Sequence, residues 1–122
     1  MNKIIMLIGA AASGKTTAAP KIAAKNNALI ISTDRIRAAL YGAEHIQGNW
    51  QEIEAVLYDH IKNAIKANKN IILDSTHFKK EYRAKIIKNF AKCSIFSAYY
   101  FNYPFSLIDN TKRIIKEISA YF

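Results

Sequence analysis

The sequence predicts an α/β fold, a parallel β-sheet covered by helices on both faces. Two observations predict it. Four short apolar runs recur along the chain, at Lys3–Ile8, Ala28–Ser32, Asn70–Leu73 and Ser94–Phe101, each bounded by polar or glycine-containing stretches. Between them lie segments whose apolar residues repeat at spacings of three and four, as on one face of a helix. Short apolar strands separated by such helices suit a parallel sheet buried on both sides. The length of 122 residues argues for one domain spanning 1–122, and the apolar content of 51% is enough for a core.

The elements follow in order. Lys3–Ile8 reads as a first buried strand. With Ala10–Ala12 it loosely imitates a secretory signal, but the apolar run Ile4–Ile8 is shorter than the roughly 7–15 residues a signal needs. The next segment is helical in pattern and contains Pro20, which should kink the helix or leave the Thr16 carbonyl without its helical donor. Ala28–Ser32 is the second strand, with a helix starting near Asp34. Gly42–Asn49 is the longest predicted loop and lies between two helices. Ile53, Val56, Leu57, Ile61, Ala64 and Ile65 form one stripe and predict a helix over roughly Trp50–Ala67. The third strand is Asn70–Leu73. Tyr82, Ile86, Ile87 and Phe90 predict the helix after it. Ser94–Phe101 is the fourth strand. Leu107, Thr111, Ile114, Ile115, Ile118 and Phe122 predict a final helix beginning near Pro104, a residue well tolerated in a first helical turn.

Composition narrows the function classes. The single cysteine, Cys93, excludes an intrachain disulfide and a cysteine-built metal site. His45, His60 and His77 are scattered without zinc-site spacing. No stretch approaches transmembrane length, so no membrane partner is expected and the expected location is the cytoplasm. Eighteen basic residues against nine acidic ones give a formal charge of +9. Such a surface favours polyanionic partners such as nucleic acid, or is simply a solvated basic surface. Tyr99, Tyr100 and Phe101 fall in a predicted buried strand, so they do not mark a basic–aromatic nucleic-acid surface.

The strongest signal is Gly9-Ala10-Ala11-Ala12-Ser13-Gly14-Lys15-Thr16, a full match to G-x-x-x-x-G-K-[S/T]. At average residue usage, a chance match in a chain this long is well under about one in a hundred. Gly9 and Gly14 permit backbone conformations that a side chain would block. Amide hydrogens of the loop then converge on phosphates, and the following helix adds its positive end. Gly9, Ala12, Ser13, Gly14, Lys15, Thr16 and Thr17 are the expected phosphate-binding set. Lys15 reaches the terminal phosphates as a mobile cation, and Thr16 offers its hydroxyl to a magnesium ion. ATP with magnesium is the expected ligand.

Two acidic residues follow apolar strands. In an open parallel sheet, ligands sit beyond the carboxyl ends of the strands. Asp34 comes directly after Leu29–Thr33 and so lands on the rim that carries the phosphate loop. A carboxylate there can accept the proton of an attacking hydroxyl. Equally, Ser32, Thr33 or Asp34 could serve as the cap of the next helix. Arg37 lies three residues on, on the same helical face, where it could grip an anionic acceptor. Asp74 ends the third strand and suits a magnesium ligand acting through water, or else a turn or cap residue. Ser75, Thr76 and His77 follow on the same rim, with Thr76 a candidate acceptor contact.

Taken together and in order, Gly9–Thr16, Ser32-Thr33-Asp34-Arg35-Ile36-Arg37 and Ile71–His77 resemble the polynucleotide kinase-like P-loop kinases. This family has zeta-toxin-type and AAA-type ATP-binding domains and includes the kinase domain of bacteriophage polynucleotide kinase. The stretch from Tyr41-Gly42 to Leu73-Asp74 and the segment Asn110–Arg113 after Tyr103-Pro104 are also similar to it. The resemblance implies a P-loop NTPase three-layer α/β/α sandwich with four or five parallel strands. It implies transfer of the γ-phosphate of ATP to a hydroxyl, with Asp34 as general base and Arg37 on the acceptor's phosphate. Arg113 matches a lid arginine that closes over the transferring group, and Asp74 an acidic or polar rim position. Two features depart from the family: Asp109 stands where a basic lid residue is common, and the lid region after Arg113 is short or truncated.

The favoured function is therefore an ATP-dependent kinase acting on a nucleic acid 5′-hydroxyl. The alternatives are a P-loop kinase for a small molecule and an ATP-binding protein without phosphotransfer. Passive nucleic-acid binding would instead give salt-sensitive affinity independent of ATP.

Overall fold

In the computed structural model, which describes residues 1–9, 15–74 and 80–101, alternation of side chains along each strand builds the core. Ile4 and Met6 of β1 (Asn2–Gly9) point to one face, Ile5 and Leu7 to the other. Ile71 and Leu73 of β3 (Asn70–Asp74) share the first face, and Ile72 the second. Among the described residues, β2 (Ala28–Ser32) and β4 (Ser94–Phe101) join them in a four-stranded sheet, ordered β2-β3-β1-β4 with every pair parallel. The strands match the apolar runs of the sequence to within a residue or two at each end.

Helices cover both faces, as the two-sided pattern requires. On one face, α1 (Lys15–Asn26) sets Ala19 and Ala23 against Ile5, Leu7 and Ile72. On the other, α2 (Thr33–Tyr41), α3 (Trp50–Lys66) and α4 (Lys80–Phe90) bury Ile36, Ile53, Leu57, Ile61, Ile86, Ile87 and Phe90. This is the three-layer sandwich the sequence predicts. Each fully buried Ile or Leu contributes about 1.5–3 kcal/mol of transfer free energy. Where α3 meets α4, Trp50 stacks on Tyr82 with ring centroids 4.4 Å apart, and Tyr58 meets Phe90 edge-on at 5.4 Å. Lys85 bonds Glu54 at 2.7 Å.

Pro20 stands inside α1, which continues on both sides of it with the proline exposed. Proline has no N–H to offer the Thr16 carbonyl, and that carbonyl lies in the first turn of the helix. The predicted final helix near Pro104 lies outside the described residues.

The amino end of the sheet is closed by amide side chains. Asn2 Nδ2 donates to the Lys69 carbonyl at 3.0 Å, and Ser94 Oγ donates to Asn2 Oδ1 at 2.6 Å. Asn70 Oδ1 accepts from the Lys3 amide, while its Nδ2 donates to the Asn26 carbonyl, both at 2.8 Å. Asn27 and Asn68 hold left-handed conformations at φ 49° and 53° where α1 and α3 turn into strands. Asparagine tolerates that region better than other side chains.

Residues 42–49 connect α2 to α3. Gly42 ends α2 at φ 87°, its amide donating to the Ala38 carbonyl at 2.9 Å, a left-handed cap. Tyr41 Oη accepts from the Asn49 amide at 2.9 Å and donates to Glu52 at 3.2 Å. Gly48, at φ 63°, crosses the face of the Tyr41 ring so closely that a Cβ would overlap the ring. Gly48→Ala is therefore expected to lower stability by about 1–3 kcal/mol, read as a lower midpoint in urea unfolding.

Candidate functional site

The topology decides where a ligand can sit. After β1 the chain passes to α1 on one face and enters β2; after β3 it passes to α4 on the opposite face. β1 and β3 are neighbours in the sheet. Adjacent strands whose outgoing connections diverge to opposite faces open a crevice at their carboxyl ends, the usual ligand position in open α/β sheets.

Three strand ends converge on that rim. Asp74 pairs in register with Leu7 of β1 and with Ser32 of β2, and Gly9 lies two residues beyond Leu7. α1 begins at Lys15, so the helix that follows the phosphate motif starts at this end of the sheet. Its N-terminus directs unpaired amides and a positive dipole end towards the rim. Of the predicted phosphate-binding set, Gly9 ends β1, and Lys15, Thr16 and Thr17 form the first turn of α1. Ala12, Ser13 and Gly14, together with Thr76 and Arg113, lie outside the described residues.

The start of α2 resolves which residue caps it. Ser32 is extended at φ −117° and ψ 127°, and its Oγ accepts from the Arg35 amide at 3.3 Å. It is the N-cap, with Thr33 and Asp34 inside the first turn. Ser32→Ala is expected to cost about 1 kcal/mol, measured by thermal unfolding. With the cap supplied by Ser32, the Asp34 side chain is committed elsewhere. Its Oδ1 accepts from Arg37 Nη1 at 3.0 Å. The spacing of three residues brings the two groups onto one face, as the sequence indicated.

Burial makes the pair asymmetric. The Asp34 side chain remains 35% exposed, whereas that of Arg37 is 8% exposed. Arg37 Nε is buried without a hydrogen-bond partner. Arg37 holds the carboxylate in place through Nη1, and the donor capacity of its Nε is unused. Asp74 is half-buried at the end of β3. Among the described residues, no group of three or more His, Cys, Asp or Glu side chains could hold a metal ion.

Two features of the rim were not found from the sequence. Trp50 and Tyr82 stand at the starts of α3 and α4, both of which begin at the carboxyl end of the sheet, and their rings stack there. Aromatic residues opening two successive helices were a usable signal, hidden because Trp50 served only as a helix boundary and Tyr82 as a member of an apolar stripe. The neighbouring seam perturbs two groups. Burial raises the Tyr58 phenol above its ordinary pKa, and the hydrogen bond to Glu54 raises that of Lys85.

Among the described residues, no helix is long and apolar enough to cross a membrane. No curated protein matches the sequence significantly. Several solved structures share the fold. A chain of the Pnkp1/Rnl/Hen1 complex superposes with a TM-score of 0.74 at 19% identity, over 94% of this chain and 38% of that one. The Mycobacterium tuberculosis APS kinase CysC gives 0.67 at 15% identity, over 97% of both chains. A sugar kinase from Janibacter sp. gives 0.59 at 17% identity, over 98% of this chain and 67% of that one. This chain thus spans about two fifths of the chains it matches in structures of that complex. At these identities the likeness is one of fold, the P-loop kinase fold. A family model for an AAA domain matches residues 4–110. That match covers the described strands and helices from Ile4 onward and the whole phosphate motif, and the chain belongs to this AAA domain family of P-loop proteins.

Proposed function

We propose that the protein is an ATP-dependent kinase that transfers the γ-phosphate to a hydroxyl, with a nucleic acid 5′-hydroxyl as the favoured acceptor. The observation that carries this reading is the Asp34–Arg37 pair, held on the same rim as the start of α1. A nucleotide-binding protein needs the phosphate loop. It does not need a carboxylate fixed by a buried arginine two residues beyond the end of β2. That carboxylate is positioned to take the acceptor's proton as the oxygen attacks phosphorus.

In this reading Gly9 to Thr17 bind the triphosphate. Lys15 offsets charge on its terminal groups, and Arg113 closes over the phosphoryl group. Arg37 orients Asp34 and directs its remaining donors to the acceptor's phosphate, and Thr76 is a further candidate acceptor contact. The hydroxyl of Thr16 and the carboxylate of Asp74 suit a hard cation that keeps water and phosphate ligands, as magnesium does. Bound magnesium would supply charge neutralisation on the phosphates. The residues 1–122 act as one domain, in the cytoplasm.

The formal charge of +9 supports a polyanionic acceptor, as does the fold shared with a chain of an RNA repair complex. The end-to-end likeness to an APS kinase supports a small acceptor instead. Labelled ATP, magnesium and the purified chain should be combined with 5′-hydroxyl oligonucleotides and, separately, with sugars, nucleosides and nucleotide-sulfates. Label on the oligonucleotide 5′-end is the expected result. Label only on a small molecule would replace the acceptor, and no transfer to any acceptor would leave an ATP-binding protein without phosphotransfer.

A further inference from the structure

The phosphotransfer reading makes no use of a groove along the outer edge of β2. Two adjoining cavities form it, one of about 240 Å³ beside α2 and one of about 400 Å³ beside the carboxyl half of α3. Ile30, Ile31 and His60 line both. Leu29, on the strand, is 49% exposed, and Leu40, on α2, is 40% exposed. Arg35 and Ala39, one turn apart on α2, face this groove. Asp34 and Arg37 pair with each other on another face of the helix. The groove is therefore separate from the rim site.

Three observations define what fits it. First, β2 ends the sheet and, among the described residues, pairs only with β3. Alternate residues of an edge strand direct N–H and C=O groups outward, ready to pair with another extended chain. Second, the strand offers exposed apolar surface beside two cavities, which would take alternate side chains of such a chain. Third, the charge lining the groove has one sign. Arg35 stands at the carboxyl end of β2 and Lys69 at the amino end, and among the described residues no carboxylate lines either cavity. A second copy of this chain, at +9, is repelled.

We propose that the β2 groove binds an extended acidic peptide of a partner protein, added to the sheet as a new strand. Main-chain bonds to the β2 edge supply affinity, and apolar side chains enter the cavities. Carboxylates on one face of the added strand, and so an even number of residues apart, meet Arg35 and Lys69.

Panning the full chain against displayed random decapeptides tests this without nucleotide, so its outcome is independent of the kinase reading. Acidic sequences with alternating apolar residues are expected to be enriched. A synthetic copy of one should slow amide exchange at residues 28–32. Leu29→Glu and Lys69→Glu, both at exposed positions, should each weaken its binding by about tenfold or more, and so should N-methylation of alternate peptide amides. Unchanged circular dichroism shows that the variants are folded. Enrichment of basic or uncharged sequences, no enrichment, protection away from residues 28–32, or self-association of the chain through Leu29 would each overturn the proposal.

Discussion

Replacing Asp34 by asparagine is expected to lower phosphotransfer by about 10²–10⁴-fold, the usual contribution of a positioned general base. ATP affinity should change little, because the carboxylate lies on α2 and the phosphate motif runs from the end of β1 into the first turn of α1. The substitution separates chemistry from folding. Ser32, not Asp34, caps α2. An asparagine oxygen can still accept from Arg37, so the pair's geometry is retained while its basicity is lost. Single-turnover transfer and ATP titration on the same variant read the two quantities separately. Equal turnover by the variant would remove Asp34 from the reaction. A matched loss of ATP affinity would show instead that Asp34 shapes the nucleotide site.

Lys15→Ala should fail in a different way. Its ammonium is expected on the terminal phosphates in both ground and transition states. Its removal should therefore weaken ATP binding and lower turnover together, the latter by about 10²–10³-fold, as for other electrostatic contacts to developing charge. The backbone of the first turn of α1 needs no lysine side chain, and alanine is the best helix former. Stability should hold while binding is lost. A variant that bound ATP normally would contradict the phosphate-binding reading.

The strands were legible because local chemistry fixed them. Ile4–Ile8 and Ile71–Leu73 are apolar on both sides, which only a doubly covered strand requires. The order β2-β3-β1-β4 was not legible, since it depends on contacts between segments about 70 residues apart, such as Ile4 with Ile71. Ser32, Thr33 and Asp34 are all competent caps by residue type. The backbone chose Ser32 because β2 ends there in extended conformation, and the Asp34 carboxylate pairs with Arg37 instead. Spacing alone placed Asp34 and Arg37 on one face. It could not show that the arginine is the buried member with Nε unpaired, since burial follows from packing. The β2 groove was also hidden. Leu29 and Ile31 belong to one strand face, yet Ile31 is core and Leu29 is half exposed. That difference arises only once α3 is in place.

The account depends on a triphosphate resting at the start of α1. Isothermal titration of the folded chain with ATP and magnesium tests this directly. One site per chain is predicted, with the heat abolished by Lys15→Ala and retained by Asp34→Asn. A folded chain that took up no nucleotide, or took it up equally after Lys15→Ala, would contradict it.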